Sequence, residues 1–471
     1  MNQLLRSLVI SLGLIVALEL IVRVVAAVGL ITLVSGDIHG FDRLHRGDDV
    51  PLDERLYESD RDLIFRMRAD YRTIYPRASL FPGQPVSYSV ETNDRGFRTK
   101  VFSDAKPPGI FRVVCLGDSS TFGMNVEAAD AYPQVLAELL EARMPGRFQV
   151  LNLGVPGYTS RQGLELIRRQ VSNFEPDLVT FGYGSNGRFW PGATTDDANI
   201  RFNQTRFGGI AIAAKQGLDQ IYTYRLVRKL VSIALYKLVE GGASAPDVPH
   251  RVTLEGMSDS ISAAHAEIGR AGATLIVVNM DIAMTDALQG MKIGVDATGA
   301  MYLDMRELFD QTQRERTRRI ETELGLPAAS AKERRSLLRV RAADSSEVSL
   351  EWRTFLSASA VKRMRDDGLR GDQAAGDGIW STYIPQRAGN KVLYLYLQTE
   401  AGEKTPEFEP GSSLGGRWRM ERIPESGLMD IDDFGHYFLH TDNAHPDEEG
   451  HRLIAQALVP AVLGVEAASR E

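Results

Sequence analysis

The stretch Arg112-Val113-Val114-Cys115-Leu116-Gly117-Asp118-Ser119-Ser120-Thr121-Phe122-Gly123 decides how this chain is read. Its first five residues form a nearly unbroken apolar run, as in a strand buried on both faces. Gly117 and Asp118 close the run and leave Ser119 at its carboxyl end. Working outward, Tyr132 to Arg143 has helical spacing, with Pro133 suited to a first turn. Gln149 to Leu153 reads as the next strand and Arg161 to Val171 as a helix. Strands follow at Asp177 to Tyr183 and Ala273 to Asn279, with a helix between them from Leu254 to Arg270. Apolar strands separated by helices predict an α/β fold, a parallel sheet covered on both faces. Ligand sites of such sheets lie at the carboxyl ends of the strands.

From about Leu338 the texture changes. Val348 to Trp352, Ile379 to Ile384 and Val392 to Gln398 alternate and are rich in aromatic and β-branched residues, a β-sandwich pattern. The α/β pattern resumes near His436 and closes with a helix from Asp447 to Leu463. The expected organisation is therefore a discontinuous α/β domain over 111–333 and 420–465. A β-sandwich over 334–412 is inserted at an exposed loop, where insertion is tolerated. Residues 36–110, punctuated by Pro76, Pro82 and Pro85, read as a connecting arm with one extended piece from Val86 to Val90.

The amino terminus carries the signal for location. Residues 7–34 are almost all apolar, longer than the ~20 residues a helix needs to cross a bilayer. Glu19 and Arg23 interrupt them four residues apart, so on a helix they face one side and can pair. The expectation is an N-terminal transmembrane anchor, with a cleaved signal peptide as the competing reading. Arg6 before the segment and Arg43 and Arg46 after it leave orientation open. The expectation that the body lies outside the cytoplasm rests in part on the family resemblance that the polar motifs carry. Ile221 to Leu238, broken by Arg225, Arg228, Lys229 and Lys237, reads as an amphipathic surface helix rather than a span. Hydrophobic residues at 43%, charged residues at 25% and a net charge of -8 describe a globular chain without the basic field that nucleic acid requires. The single cysteine, Cys115, excludes an internal disulfide and leaves the redox compartment open.

Four polar motifs stand at the ends of these elements. Gly117-Asp118-Ser119 presents a hydroxyl after a buried strand, where an adjacent base could activate it. It is not the Gly-x-Ser-x-Gly turn, because Thr121 stands where that motif needs glycine. Asn152-Leu153-Gly154-Val155-Pro156-Gly157-Tyr158 offers glycines whose N–H groups can approach an anion. Gly184-Ser185-Asn186-Gly187 adds a side-chain amide, and Asp442-Asn443-Ala444-His445-Pro446 adds a base with a carboxylate three residues before it. His436 has Asp433 and His451 has Glu448 at the same spacing, but neither precedes a proline and a helix start. Each motif alone also fits an ordinary turn; their common order is what carries meaning.

In that order they resemble the blocks of the SGNH (GDSL) hydrolases, over Phe111 to about Asn279 and again over His436 to Leu463. The resemblance implies a three-layer, flavodoxin-like parallel sheet with Ser119, Asp442 and His445 as catalytic triad. It also implies an oxyanion hole of the Ser119 and Gly157 N–H groups and the Asn186 amide. No metal or organic cofactor is implied. Many members follow the asparagine with aspartate, where this chain has Gly187. Asn93-Asp94-Arg95-Gly96-Phe97-Arg98 is similar to the lead-in of membrane-anchored members, and residues 364–381 resemble the Asp/Gly-rich loop of Ig-like surface modules. That loop could hold calcium or simply cap its own turns, and its spacing is not an EF-hand's. The expected activity is esterase action on acyl groups, acetyl first, of envelope or extracellular carbohydrate. A polysaccharide O-acetyltransferase with the same triad and a non-catalytic surface binding protein are the alternatives.

Overall fold

A computed structural model describes residues 3–27, 56–77, 86–184, 186–189, 194–218, 221–224, 226–227, 230, 250–280, 285–324, 327–328, 333–341, 346–354, 360–364, 366, 375–376, 379–387, 392–399, 402–404 and 445–470.

Helix α1 (Gln3–Ala27) opens the chain. Glu19 and Arg23 pair on it at 2.9 Å, as their spacing predicts. Glu19 does more than neutralise Arg23. Its carboxylate accepts the Tyr222 and Thr223 N–H groups and the Thr223 hydroxyl, all at 2.8 Å, and so caps the helical stretch that begins at Tyr222. Among the described residues, no helix is long and apolar enough to cross a membrane. Residues 28–34 of the expected anchor lie outside the described residues.

The arm is more structured than its sequence suggests. It forms two antiparallel hairpins, β1 (Tyr57–Asp60) with β2 (Ile64–Met67) and β3 (Arg72–Arg77) with β4 (Val86–Glu91). Four-residue strands are too short to show a period, and their stability comes from packing instead. Tyr57, Phe65, Tyr75, Tyr88 and Val90 are buried in the same core as the body's Val155, Tyr158 and Leu164.

The body begins at β5 (Phe111–Gly117), followed by α2 (Ser119–Phe122) and α3 (Tyr132–Glu141). Then come β6 (Phe148–Gly154), α4 (Ser160–Arg169), β7 (Leu178–Gly182) and α5 (Asn186–Phe189). Helices α6 (Asp196–Gln204), α7 (Arg206–Leu218) and α8 (Leu254–Arg270) precede β8 (Thr274–Asn279), α9 (Thr285–Thr298), β9 (Met301–Asp304) and α10 (Met305–Leu324). The five strands β5 to β9 form one parallel sheet in the order β6-β5-β7-β8-β9. Side chains alternate through it into two cores. Val114, Leu116, Val179 and Val277 face α4 and α8, whereas Val113, Cys115, Ile276 and Val278 face α3 and the carboxyl-terminal helix. This is a three-layer α/β fold with flavodoxin-like strand order, and its switch point lies between β5 and β7.

The described residues within 333–404 supply only antiparallel strands. β10 (Glu333–Arg341) pairs with β13 (Ile379–Arg387), and β12 (Ala360–Arg363), β11 (Val348–Thr354), β14 (Val392–Thr399) and β15 (Gly402–Lys404) form a second sheet in that order. This segment interrupts the body: Met305 and Phe309 of α10, before it, share one core with Ile454, Leu458 and Val462 of α11 (Glu448–Ala468), after it. Most of the Asp/Gly loop (367–374 and 377–378) lies outside the described residues, and among the described residues no cluster of His, Cys, Asp or Glu is arranged to hold a metal ion.

Candidate active site

Ser119 is the first residue of α2, a single turn that starts directly at the end of β5. The turn is defined by its own residues. Asp118 caps it by accepting the Ser120 N–H at 3.0 Å, and Gly123, at φ +82°, closes it in the left-handed region open to glycine. Gly117 and Gly154, paired across β5 and β6, let the turn lie against the sheet. A Cβ on Gly154 would stand 2.3 Å from the Phe122 nitrogen. Arg98, almost wholly buried, donates to the Phe122 and Gly123 carbonyls from the arm side, which satisfies the end of the turn. Burial pulls its guanidinium down to about 10.

His445 stands just before α11, with Nε2 2.7 Å from Ser119 Oγ across 326 residues of sequence. That is hydrogen-bond contact between a base and a hydroxyl, the first geometric requirement of an activated nucleophile. His451, the rival, lies inside α11 and is fully buried. Its Nδ1 accepts the Tyr132 N–H at 3.2 Å, and burial pulls it down to about 3, so it stays neutral and fastens α3 to α11. Asp442 and His436 lie outside the described residues.

Asp118 is buried beside the pair. Burial pushes its carboxyl up to about 6, against the opposing pull of the Ser120 N–H and the charge of His445. Asn186 begins α5 after β7; its amide donates to the Tyr158 carbonyl at 3.0 Å and reaches Asp118 Oδ2 at 3.4 Å. Gly187 explains the departure from the usual aspartate. Its carbonyl accepts the Val252 N–H at 3.1 Å, and a Cβ there would come within 3.1 Å of the Val252 side chain, a crowded approach.

Gly157 lies in the loop after β6, at φ +84°. The structure thus brings Ser119, His445, Asn186 and Gly157 to the carboxyl end of the sheet, at the β5/β7 switch point. Sequence reasoning missed Asp196 and Arg251, and read Arg98 only as part of a lead-in motif. Arg251 forks onto Asp196 at 2.9 and 3.0 Å and donates to the Gly157 carbonyl at 2.9 Å. Nothing local marked it, because its partners lie 55 and 94 residues away.

Residues 115–315 match the GDSL-like Lipase/Acylhydrolase family. No curated relative matches the chain. Among solved structures, a lipase/acylhydrolase from Enterococcus faecalis is 14% identical, with 43% of this chain and 80% of that chain covered and a TM-score of 0.27. LAE5, an α/β hydrolase from the metagenome of Lake Arreo, Spain, is 16% identical, with 43% and 80% covered and a TM-score of 0.26. Axe2, an acetylxylan esterase from Geobacillus stearothermophilus, is 15% identical, with 43% and 79% covered and a TM-score of 0.25. Likenesses this remote assign no substrate.

Proposed function

We propose that this ester-hydrolysing enzyme of the GDSL/SGNH type is a serine esterase in which Ser119 attacks the ester carbonyl and His445 takes its proton. The 2.7 Å contact between His445 Nε2 and Ser119 Oγ carries this reading. Asp442, three residues before His445, is assigned the carboxylate that fixes the imidazole tautomer. The Ser119 and Gly157 N–H groups and the Asn186 amide are assigned to the oxyanion of the tetrahedral intermediate. His445 then returns its proton to the leaving alcohol, the acyl group stays on Ser119, and water attacks the acyl-enzyme by the same route.

The substrate assigned is an acetyl or other short acyl ester of envelope or extracellular carbohydrate, with the body tethered outside the cytoplasm. Support for the tether is physical. Leu14, Ile15, Val16, Leu18, Leu20, Ile21 and Val24 of α1 are all exposed, and such a helix gains stability only where lipid or protein covers it. The same reading assigns residues 334–412, whose described strands pair antiparallel, to an inserted Ig-like module that would hold polymer or partner.

Full-length protein in detergent is expected to hydrolyse 4-nitrophenyl acetate, and Ser119→Ala to lose that turnover. A folded wild-type protein with neither Ser119-dependent hydrolysis nor acyl transfer favours the binding-protein reading. Acyl transfer to a sugar acceptor in excess of hydrolysis replaces esterase with O-acetyltransferase.

A further inference from the structure

The loop Val155–Tyr158 has an unusual hydrogen-bond ledger. Each of its four carbonyls is taken. Val155 O accepts the Tyr158 N–H at 3.1 Å and Pro156 O accepts the Tyr57 hydroxyl at 3.0 Å. Gly157 O accepts Arg251 Nη1 at 2.9 Å and Tyr158 O accepts Asn186 Nδ2 at 3.0 Å. The N–H groups are also spoken for, with one exception. Val155 donates to Gly117 O, Tyr158 to Val155 O and Thr159 to Gln162 Oε1. Pro156 has no N–H. The Gly157 N–H alone finds no acceptor among the described residues.

The bond from Tyr57 is the informative one. Pro156 C=O and Gly157 N–H belong to one planar peptide, in which the two point in opposite directions. Whatever fixes the carbonyl therefore aims the N–H. Gly157 is flanked by softer torsions and carries no side chain to hold its peptide, so the aim must come from outside. Tyr57 is built to supply it. It lies on β1, is 2% exposed, and packs edge-on against Phe65, which packs edge-on against Tyr158. The Tyr158 hydroxyl returns to Phe65 O at 2.7 Å, and Gln162 reaches Leu63 O at 2.6 Å. The β1–β2 hairpin is thus clamped to the loop from both directions.

We infer that Tyr57, contributed by the N-terminal arm and lying outside the matched family segment 115–315, is a positioning residue that aims and polarises the Gly157 N–H for the oxyanion. The inference rests on the esterase reading above. The arm thereby becomes part of the catalytic machinery, acting through a peptide rather than touching substrate. Because the aim matters only once negative charge has formed, losing the hydroxyl lowers kcat and leaves KM alone.

The test compares full-length wild type with Tyr57→Phe and, as a matched deletion of a buried hydroxyl in the same arm, Tyr75→Phe. Readouts are kcat and KM on 4-nitrophenyl acetate and the affinity for benzeneboronic acid, whose serine adduct mimics the tetrahedral state. Expected for Tyr57→Phe is a kcat lower by about 3- to 10-fold, the worth of one hydrogen bond. KM is unchanged, boronate affinity falls by the same factor, and Tyr75→Phe matches wild type. Unchanged kcat and boronate affinity in folded Tyr57→Phe overturn the inference. So does an equal loss in Tyr75→Phe, a loss confined to KM, or a Tyr57→Phe protein that does not fold, each of which makes the hydroxyl a structural support. Wild-type protein without Ser119-dependent turnover overturns the esterase reading and this inference together.

Discussion

The turn after β5 and the loop after β6 end side by side at Ser119, yet they are held by different kinds of partner. The first takes most of its bonds from itself: the Ser120 and Phe122 N–H groups donate to Asp118, and those of Gly123 and Met124 to Ser119. The second takes its side-chain donors from Tyr57, Asn186 and Arg251, which lie 99, 28 and 94 residues from their acceptors. A turn defined by its own residues keeps its shape wherever the strand ends. A loop held by distant donors has its shape only in the finished fold. The proposed nucleophile is therefore set by local chemistry and the surroundings of the proposed oxyanion donors by long-range packing.

The comparison can be broken at either side. The largest effect is expected from Ser119→Ala, with turnover lower by about 10⁴-fold or more while the unfolding midpoint holds, read by steady-state kinetics and thermal melts. Retained hydrolysis would move the nucleophile elsewhere. Next is Arg251→Met, which leaves the carboxylate of Asp196, 1% exposed, without its charged partner and with the Thr159 hydroxyl as its remaining side-chain donor. It is expected to cost about 3–5 kcal/mol in denaturant unfolding and to lower kcat with it. A variant that keeps both would show that the second loop needs no remote brace. Gly154→Ala drives a Cβ into the Phe122 backbone and is expected to cost about 2–3 kcal/mol, with an altered nucleophile turn in a crystal structure.

An effect confined to acid pH sharpens the contrast at α11. His451 is held down to about 3 by burial, below the ordinary histidine value of 6.5. Between those values the unfolded chain binds the proton and the folded chain does not, so stability is present above pH 6.5 and is lost as pH falls toward 3. His451→Gln, which can still accept the Tyr132 N–H, is expected to flatten that acid slope in chemical denaturation across pH 6.5 to 4. An unchanged slope would mean that other groups set it.

Much of the α/β body was legible because its strands are apolar throughout and its helices are amphipathic. The helix from Leu254 to Arg270 has the bounds its spacing predicts, and the strands differ by a residue or so at their ends. The arm was not legible. Tyr57 to Asp60 and Ile64 to Met67 are too short for periodicity, and their pairing depends on aromatic side chains that meet only when the hairpin lies on the body. Gly187, standing where many members have aspartate, proves to be room for Val252. Asp118, read only as part of a turn, is a buried carboxyl that touches both the Ser120 N–H and the Asn186 amide.

By itself the sequence determined the parallel sheet, the serine at the end of its first strand, and a histidine before its last helix. Burial on two faces imposes an apolar run that any reader can see, and a turn's bonds are spelled in neighbouring residues. Only the tertiary structure decided that Tyr57 and Arg251 hold the loop around Gly157, and only it supplied the contact between His445, already favoured by its sequence context, and Ser119. Those contacts join residues far apart along the chain, and a bond between distant residues leaves no spacing for the sequence to display.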